Sequence, residues 1–364
     1  MVNLIWKKKV DISVNLETLK KKYSNFFESF MVDSYLEDLD IPINSISKEW
    51  KNKLFWGENK EVISYLLNNF EEKFDLIYVD PPFFSGVNYK IEVTEDDKIF
   101  DLIAYYDHWE KDLDSYLQML YESIVLFKKL LSKTGLLFIH LDWHASHYIR
   151  LILDEVFGDA NFVNDIVWYY YNKYSSGKKN LPRAHDDILV YSKSNKYTLN
   201  EIRLPRKKPR KQLMRVNVNG VLKNLKDKDG HVKYRVVNDK KLDDVWKIPC
   251  LQPASKEWTG FPTQKHHELL ERIIRLGSKE GDLIADFFCG SGTSLLMAEK
   301  LKRKWIGCDI SEYSIYLARN RILNYQHESQ KYYPLEILTH LNSEKREIID
   351  TGFFEKQISI KRKK

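Results

Sequence analysis

The chain has 364 residues, 43% of them hydrophobic and 30% charged, with a net charge of +6. That apolar content supports a sizeable core and excludes wholesale disorder, and the length suits one large domain with an insertion or two domains. Three cysteines without metal-ligand spacing fit a reducing compartment. No stretch approaches the roughly 20 apolar residues of a membrane span, and Met1 to Trp6 runs into Lys7-Lys8-Lys9 without a secretion signal, so a soluble cytoplasmic protein is expected.

In chain order, residues 1–50 carry no motif, and residues 16–30 read as an amphipathic helix for packing or dimerisation. An α/β rhythm begins at Leu54. Residues 74–79 are a buried strand, 116–131 a helix, 136–139 a second buried strand after Gly135, and 147–157 a helix ending at Gly158. Residues 162–169 and 188–191 are further strands. Between Asn172 and about Asp244 the apolar pattern breaks down and Lys, Arg, Asn, Gly and Pro dominate. From Glu201 to Lys241 there are 14 Lys and Arg against 4 Asp and Glu, a net of +10 that leaves −4 elsewhere. Such a segment is either a solvated loop or a polyanion contact. The rhythm then returns: helix 268–276, strand 282–287, a glycine turn, helix 294–301, strand 304–308 and helix 312–323. A polar tail ends in Lys361-Arg362-Lys363-Lys364. The expected divisions are 1–50, 51–171, 172–245, 246–330 and 331–364.

Two constellations carry chemistry. Asp80-Pro81-Pro82-Phe83 closes the apolar run Phe74-Asp75-Leu76-Ile77-Tyr78-Val79. It puts a carboxylate, a proline carbonyl and an aromatic face at a strand tip, where open α/β sheets bind ligands. The carboxylate and carbonyl suit the two hydrogens of an amino group on a planar ring, with Phe83 stacked on that ring.

The second is Asp286-Phe287-Phe288-Cys289-Gly290-Ser291-Gly292-Thr293, which joins a strand to a helix. Two glycines one residue apart allow close backbone approach, and the helix N-terminus favours an anion. Asp309 ends the next strand, where an acid suits two ribose hydroxyls. A dinucleotide site wants G-x-G-x-x-G, but Leu295 stands at the third glycine position and the turn comes late in the chain. Both points favour S-adenosylmethionine, its carboxylate at the helix N-terminus and Phe288 lining the site. Upstream, Pro262-Thr263-Gln264-Lys265 is either a helix cap, with Thr263 capping, or a polar hook over the methionine end, with Thr263 and Lys265 as donors.

Together these blocks resemble the amino-methylating DNA methyltransferases of the β arrangement, in which the catalytic motif precedes the cofactor motif. The resemblance spans roughly residues 54–322 apart from the basic insertion, which falls where that family keeps its target recognition domain. It implies a Rossmann-like, S-adenosylmethionine-dependent α/β fold with a mixed, mostly parallel sheet. Asp80, Pro81, Pro82 and Phe83 become the catalytic residues. Thr263, Lys265, Asp286, Phe288, Gly290, Ser291, Gly292, Thr293, Asp309 and Ile310 become the cofactor residues. Arg206, Lys207, Lys208, Arg210, Lys211 and Arg215 become candidate DNA contacts. Three departures stand out: Glu58 where Asp is usual, His266-His267 where a proline follows the lysine, and Phe83 in place of Tyr. Asp rather than Ser at the first catalytic position leans towards adenine N6 over cytosine N4. The partner is double-stranded DNA; a cognate restriction endonuclease and a second copy of the chain are candidate partners. Methylation of RNA or of a protein amide, and a non-catalytic DNA-binding subunit, are the competing readings.

Other groups offer weaker chemistry. His140, His144 and His147 resemble a metal triad, but a strand end and a turn separate them, so packing or DNA-backbone contact is the better expectation and no metal is assigned. Asp107-His108-Trp109 lacks a nucleophile and reads as structural.

Overall fold

Strands rich in bulky apolar residues organise the chain around one sheet. The computed structural model describes residues 4–7, 9–31, 50–95, 98–107, 112–173, 180–329, 333–340 and 359–360. Its strands are β1 (Glu28–Met31), β2 (Asn52–Trp56), β3 (Phe74–Val79), β4 (Asn88–Glu95), β5 (Lys98–Tyr106), β6 (Leu131–Leu141), β7 (Phe162–Tyr169), β8 (His185–Ser192), β9 (Arg203–Leu213), β10 (Arg215–Val218), β11 (Val221–Asn224), β12 (Tyr234–Lys241), β13 (Val245–Lys247), β14 (Leu283–Asp286), β15 (Lys304–Asp309), β16 (Leu335–Thr339) and β17 (Ser359–Ile360). Ten of them form one sheet in the order β1-β16-β2-β15-β14-β3-β6-β8-β7-β13. The run from β16 to β6 is parallel, while β8 is antiparallel to both β6 and β7. The fold is thus α/β with a mixed, mostly parallel sheet.

Central parallel strands are covered on both faces and therefore read as continuous apolar runs rather than alternations. Every residue of β3 is buried except Asp75. Asp75 accepts the N–H of Leu283 at 3.0 Å, so its carboxylate ties β3 to the start of β14. Burial raises its pKa above the usual carboxylate range despite that bond. The core joins Phe74, Ile77 and Val79 of β3 to Leu137 and Ile139 of β6 and to Phe127 and Phe287, whose rings stack 5.5 Å apart. The helix Leu113–Leu130 begins where the Asp112 side chain accepts the N–H of Ser115.

The chain order creates a switch point. From β14 the chain moves to β15 on one side, whereas from β3 it moves to β6 on the other. β14 and β3 are neighbours, with Ile284 opposite Leu76 and Ala285 opposite Ile77. Their C-terminal tips, some two hundred positions apart in sequence, open into one crevice.

Several expected boundaries differ. Residues 16–30 are not one helix: a helix covers Leu16–Tyr23, and β1 pairs antiparallel with β16. The segments expected as an N-terminal extension and a C-terminal tail thus share an edge of the sheet. Strand β6 starts at Leu131, ahead of Gly135. The hairpin β4–β5 has no counterpart among the expected elements. The chain divides into two compact units, residues 1–199 with 245–364, and residues 200–244. The second unit is narrower than the 172–245 expected, because β8 belongs to the main sheet. It is built of two antiparallel pairs, β9 with β12 and β10 with β11. No helix among the described residues is long and apolar enough to cross a membrane.

Candidate active site

Asp80 follows β3 directly, and the strand end is held from several sides. The Tyr116 hydroxyl donates to the Pro82 carbonyl at 2.8 Å. Asp107 is buried and accepts the N–H groups of Phe84 and Ser85, each at 2.9 Å, and the Ser85 hydroxyl. Phe84 itself sits at φ +63°, a conformation that a bulky residue adopts only when its surroundings impose it. Asp107 is that imposition, which gives physical content to its structural reading; His108 and Trp109 lie outside the described residues.

The Asp80 carboxylate is gripped on one side only. Its Oδ2 accepts from the Lys265 ammonium, which also stands 5.2 Å from the centre of the Phe83 ring. Its Oδ1 is buried without a hydrogen-bond partner among the described residues and lies 3.8 Å from His140 Nδ1. Lys265, expected on the cofactor, thus occupies the acceptor and the ring face that suit a target amino group.

His140 is not a DNA-backbone contact, since it is fully buried in β6. Its Nδ1 faces the Tyr78 hydroxyl and its Nε2 faces Asp186 Oδ2, both at 3.2 Å. Tyr170 also donates to Asp186, at 3.1 Å. Burial opposes the Asp186 charge, but the His140 hydrogen bond and charge, Lys265 and Tyr170 outweigh it and hold the carboxyl below its ordinary range. Burial, with the charges of Asp80, Asp286 and Asp186 added, pushes the Tyr78 phenol well up, so it stays protonated. His144 pairs with Asp142 at 2.6 Å and His147 is exposed, so the three histidines do not converge.

Across the crevice the glycine turn is built around two left-handed residues. Gly290 has φ +49°, and a Cβ there would lie 3.1 Å from the Phe261 ring. Gly292 has φ +73°, and a Cβ would lie 2.6 Å from that of Ala318 in the helix Glu312–Ser329. Asp309 accepts the Gly290 N–H with one oxygen and the Ser311 N–H with the other, each at 2.8 Å. Arg321 braces the turn from below, donating to the Ser291 carbonyl and the Thr293 hydroxyl at 2.6 and 2.9 Å. Burial lowers its pKa to about 10, so it remains cationic near neutrality. Asp286 is 3% exposed and accepts from Ser294 and from the Phe288 N–H. Burial pushes it up to about 7 despite those bonds, with the charges of Asp80 and Asp309 adding to the effect.

Thr263 does not cap the following helix. His266 does, its Nδ1 accepting the Glu268 N–H at 3.2 Å. Thr263 has φ +62° and donates to the Pro262 carbonyl. Gln264 fixes the loop through the Thr259 N–H and the Glu257 carbonyl, at 2.9 and 2.8 Å.

These parts enclose one cavity of about 320 Å³, within the range of small-molecule sites. Its walls include Asp80, Pro81, Pro82, Phe83, Thr263, Lys265, Asp286, Phe288, Gly290, Ser291, Thr293, Asp309 and Ile310. Gly292 is absent from the lining and packs on Ala318. The residues fit a nucleoside with a charged amino-acid tail. The turn bears no side chain at its closest point, an acid stands beside it for a ribose, and the buried Asp286 carboxyl can gain a cationic partner. Tyr78 also lines the cavity, which sequence reasoning did not select it for, as do Glu58 and Asn59, which the sequence offered only as part of the family resemblance. Tyr78 had a legible signal, a polar atom two residues before Asp80; Arg321 had none.

The predicted DNA contacts lie in the second unit. Lys207, Lys208, Arg210 and Lys211 are exposed on β9 and Arg215 on β10, while Arg206 is partly buried and donates to the Asp239 carbonyl at 2.8 Å.

The chain is similar to known proteins. A family model described as DNA methylase matches residues 74–320. Type II methyltransferase M.EcaI of Enterobacter cloacae is 26% identical over 364 aligned residues, covering 85% of this chain and 75% of that protein. Type II methyltransferase M.HpaI of Haemophilus parainfluenzae is 30% identical, covering 71% of each. DNA adenine methyltransferase YhdJ of Escherichia coli (strain K12) is 29% identical, covering 69% of this chain and 76% of that protein.

Proposed function

The chain belongs to the DNA methylase family, and we propose that it methylates the N6 amino group of adenine in duplex DNA at a specific sequence. The observation that carries this reading is the shared cavity, where the Asp80 carboxylate and the Phe83 ring stand beside the glycine turn and Asp309. S-adenosylmethionine supplies an electrophilic methyl group when bound there.

The residues then divide the work. A target base inside a duplex is out of reach, so it flips into the pocket at a cost of a few kcal/mol. Stacking on Phe83 and phosphate contacts offset that cost. Asp80 and the Pro81 carbonyl accept the two amino hydrogens and favour a pyramidal nitrogen, freeing a lone pair otherwise conjugated into the ring. Positive charge grows on that nitrogen during attack, so the carboxylate stabilises the transition state more than the ground state. Lys265 must leave Asp80 for the base to enter, and the residues of the glycine turn hold the cofactor.

Adenine is favoured because Asp occupies the first position of the motif and because one relative is named an adenine methyltransferase. Cytosine N4 is the second reading, since its amino group offers the same two hydrogens. A cognate endonuclease and a second copy of the chain are proposed partners; relatives include subunits named for type III restriction-modification enzymes.

The test is transfer of isotope-labelled methyl groups to duplex DNA, RNA and protein in parallel, followed by hydrolysis to nucleosides. Label should appear in DNA as N6-methyladenine. Label confined to RNA or protein, or in N4-methylcytosine, would overturn the respective part of the reading.

A further inference from the structure

Methylation leaves the target nitrogen with one proton and one positive charge too many. The N–H bond must break, its electron pair staying on nitrogen, and the proton must go somewhere. Asp80 is in contact, and once Lys265 has left its Oδ2 to the entering amino group, Oδ1 is the oxygen that can pass a proton inward. Lys265 carries donors only and cannot take the proton onward. Among the described residues, one neutral acceptor faces the free oxygen of Asp80: His140 Nδ1, at 3.8 Å from Oδ1.

The surroundings of His140 set its tautomer. From β8, Asp186 faces Nε2 at 3.2 Å and is held as a carboxylate, so it accepts and Nε2 carries the hydrogen. That leaves the Nδ1 lone pair for the Tyr78 hydroxyl from β3, a rotor that can turn away. Tyr170, following β7, donates to the other Asp186 oxygen. Asp142 adds negative charge near Asp186, and Lys265 adds positive charge there. The ring is closed in by Trp168 at 5.4 Å and Phe83 at 5.8 Å between centroids. An imidazolium formed here would lie between two carboxylates, Asp80 and Asp186.

We propose that His140, oriented by Asp186, is the positioning residue that receives through Asp80 the proton released by the methylated amino group. The proton passes from nitrogen to Asp80 Oδ1, then to His140 Nδ1, and leaves to solvent when the product departs. The inference rests on the amino-methylation reading and holds for adenine N6 and cytosine N4 alike. It gives Asp186 and Tyr170 a role in turnover although neither lines the cavity.

The test is the pH dependence of turnover at saturating cofactor and duplex DNA, with histidine ¹⁵N NMR of the free protein. Wild type should show an acid limb, a loss of turnover as pH falls. His140→Gln should remove that acid limb and lower turnover by about a hundredfold, with S-adenosylmethionine affinity unchanged by titration. Asp186→Asn takes away the carboxylate that stabilises the imidazolium, so the limb should move to lower pH. By NMR, the His140 signal, identified by its loss in His140→Gln, should report a proton on Nε2. An acid limb unmoved in both variants, wild-type turnover in His140→Gln, or a proton on Nδ1 in the free protein would overturn the inference. A wild type that methylates no DNA at any pH would overturn the methylation reading itself, and this inference with it.

Discussion

At the scale of single residues, the site turns on which carboxyl groups are charged. Asp80 is paired with Lys265, whereas Asp286, one strand away, is buried at the tip of β14 without a cation and is pushed up to about 7. Stability depends on pH accordingly. The folded pKa of Asp286 lies above its ordinary value of 3.8, so the stability it contributes is complete below about pH 4 and is lost as pH rises through about 7. The cofactor-free protein should therefore lose thermal stability between about pH 4 and pH 7. Asp286→Asn, which cannot ionise, should show a smaller loss across the same window, measured as the unfolding midpoint at each pH. Equal slopes would mean that Asp286 is ionised throughout. Residue types also explain what sequence alone missed. Lys265 carries the same charge whether it reaches a cofactor or a catalytic acid, and only the fold decides that it reaches Asp80. His140 reads in sequence as one of three histidines, at the end of a buried strand and suited to packing or DNA-backbone contact, and only the fold shows that β6 runs past it to Leu141 and sets it between Tyr78 and Asp186.

At the scale of elements, legibility followed burial. β3 and β7 fall on their expected residues, and the helices Ser146–Phe157 and His267–Gly277 start and end within one residue of theirs. β3 carries a continuous apolar run and the two helices a clear 3.6 period because each meets a packed neighbour, while β7 alternates over its second half, where Ile166 and Trp168 are buried. The segment 200–244 gave no such signal, for a physical reason: every residue of β9 is exposed or half-buried, and none is buried. A strand wet on both faces has no apolar alternation to read. β16 reads as part of a tail because it is five residues long and its partners, β1 and β2, lie far away in sequence. The glycine turn was legible as a motif, but the reason for its second glycine is tertiary. Gly292→Ala must accept a left-handed backbone, which costs about 1–2 kcal/mol, and must also push away the Ala318 backbone, which a Cβ would meet at 2.9 Å. The expected outcome is a lower unfolding midpoint together with weaker S-adenosylmethionine binding by titration. Wild-type values for both would show that the turn is softer than its geometry implies.

At the scale of the whole molecule, the two compact units differ in kind. One carries the cavity, and the other concentrates positive charge. Exposed lysines and arginines that neutralise phosphates release counterions and make affinity fall with salt. Replacing Lys207, Lys208, Arg210 and Lys211 together by Ala should therefore weaken duplex binding. It should also flatten the plot of log affinity against log salt by about 0.9 for each phosphate that is no longer neutralised, without changing cofactor affinity. An unchanged salt slope would remove this strand from the interface. The larger claim is that β3 and β14 bring the acid and the cofactor turn to one cavity for methyl transfer. The most direct measurement is single-turnover transfer of a labelled methyl group to duplex DNA by wild type and by Asp80→Ala, with cofactor binding titrated on both. The account predicts equal cofactor affinity and a transfer rate at least about a hundredfold lower in Asp80→Ala. Transfer by Asp80→Ala at a rate near that of wild type would contradict it.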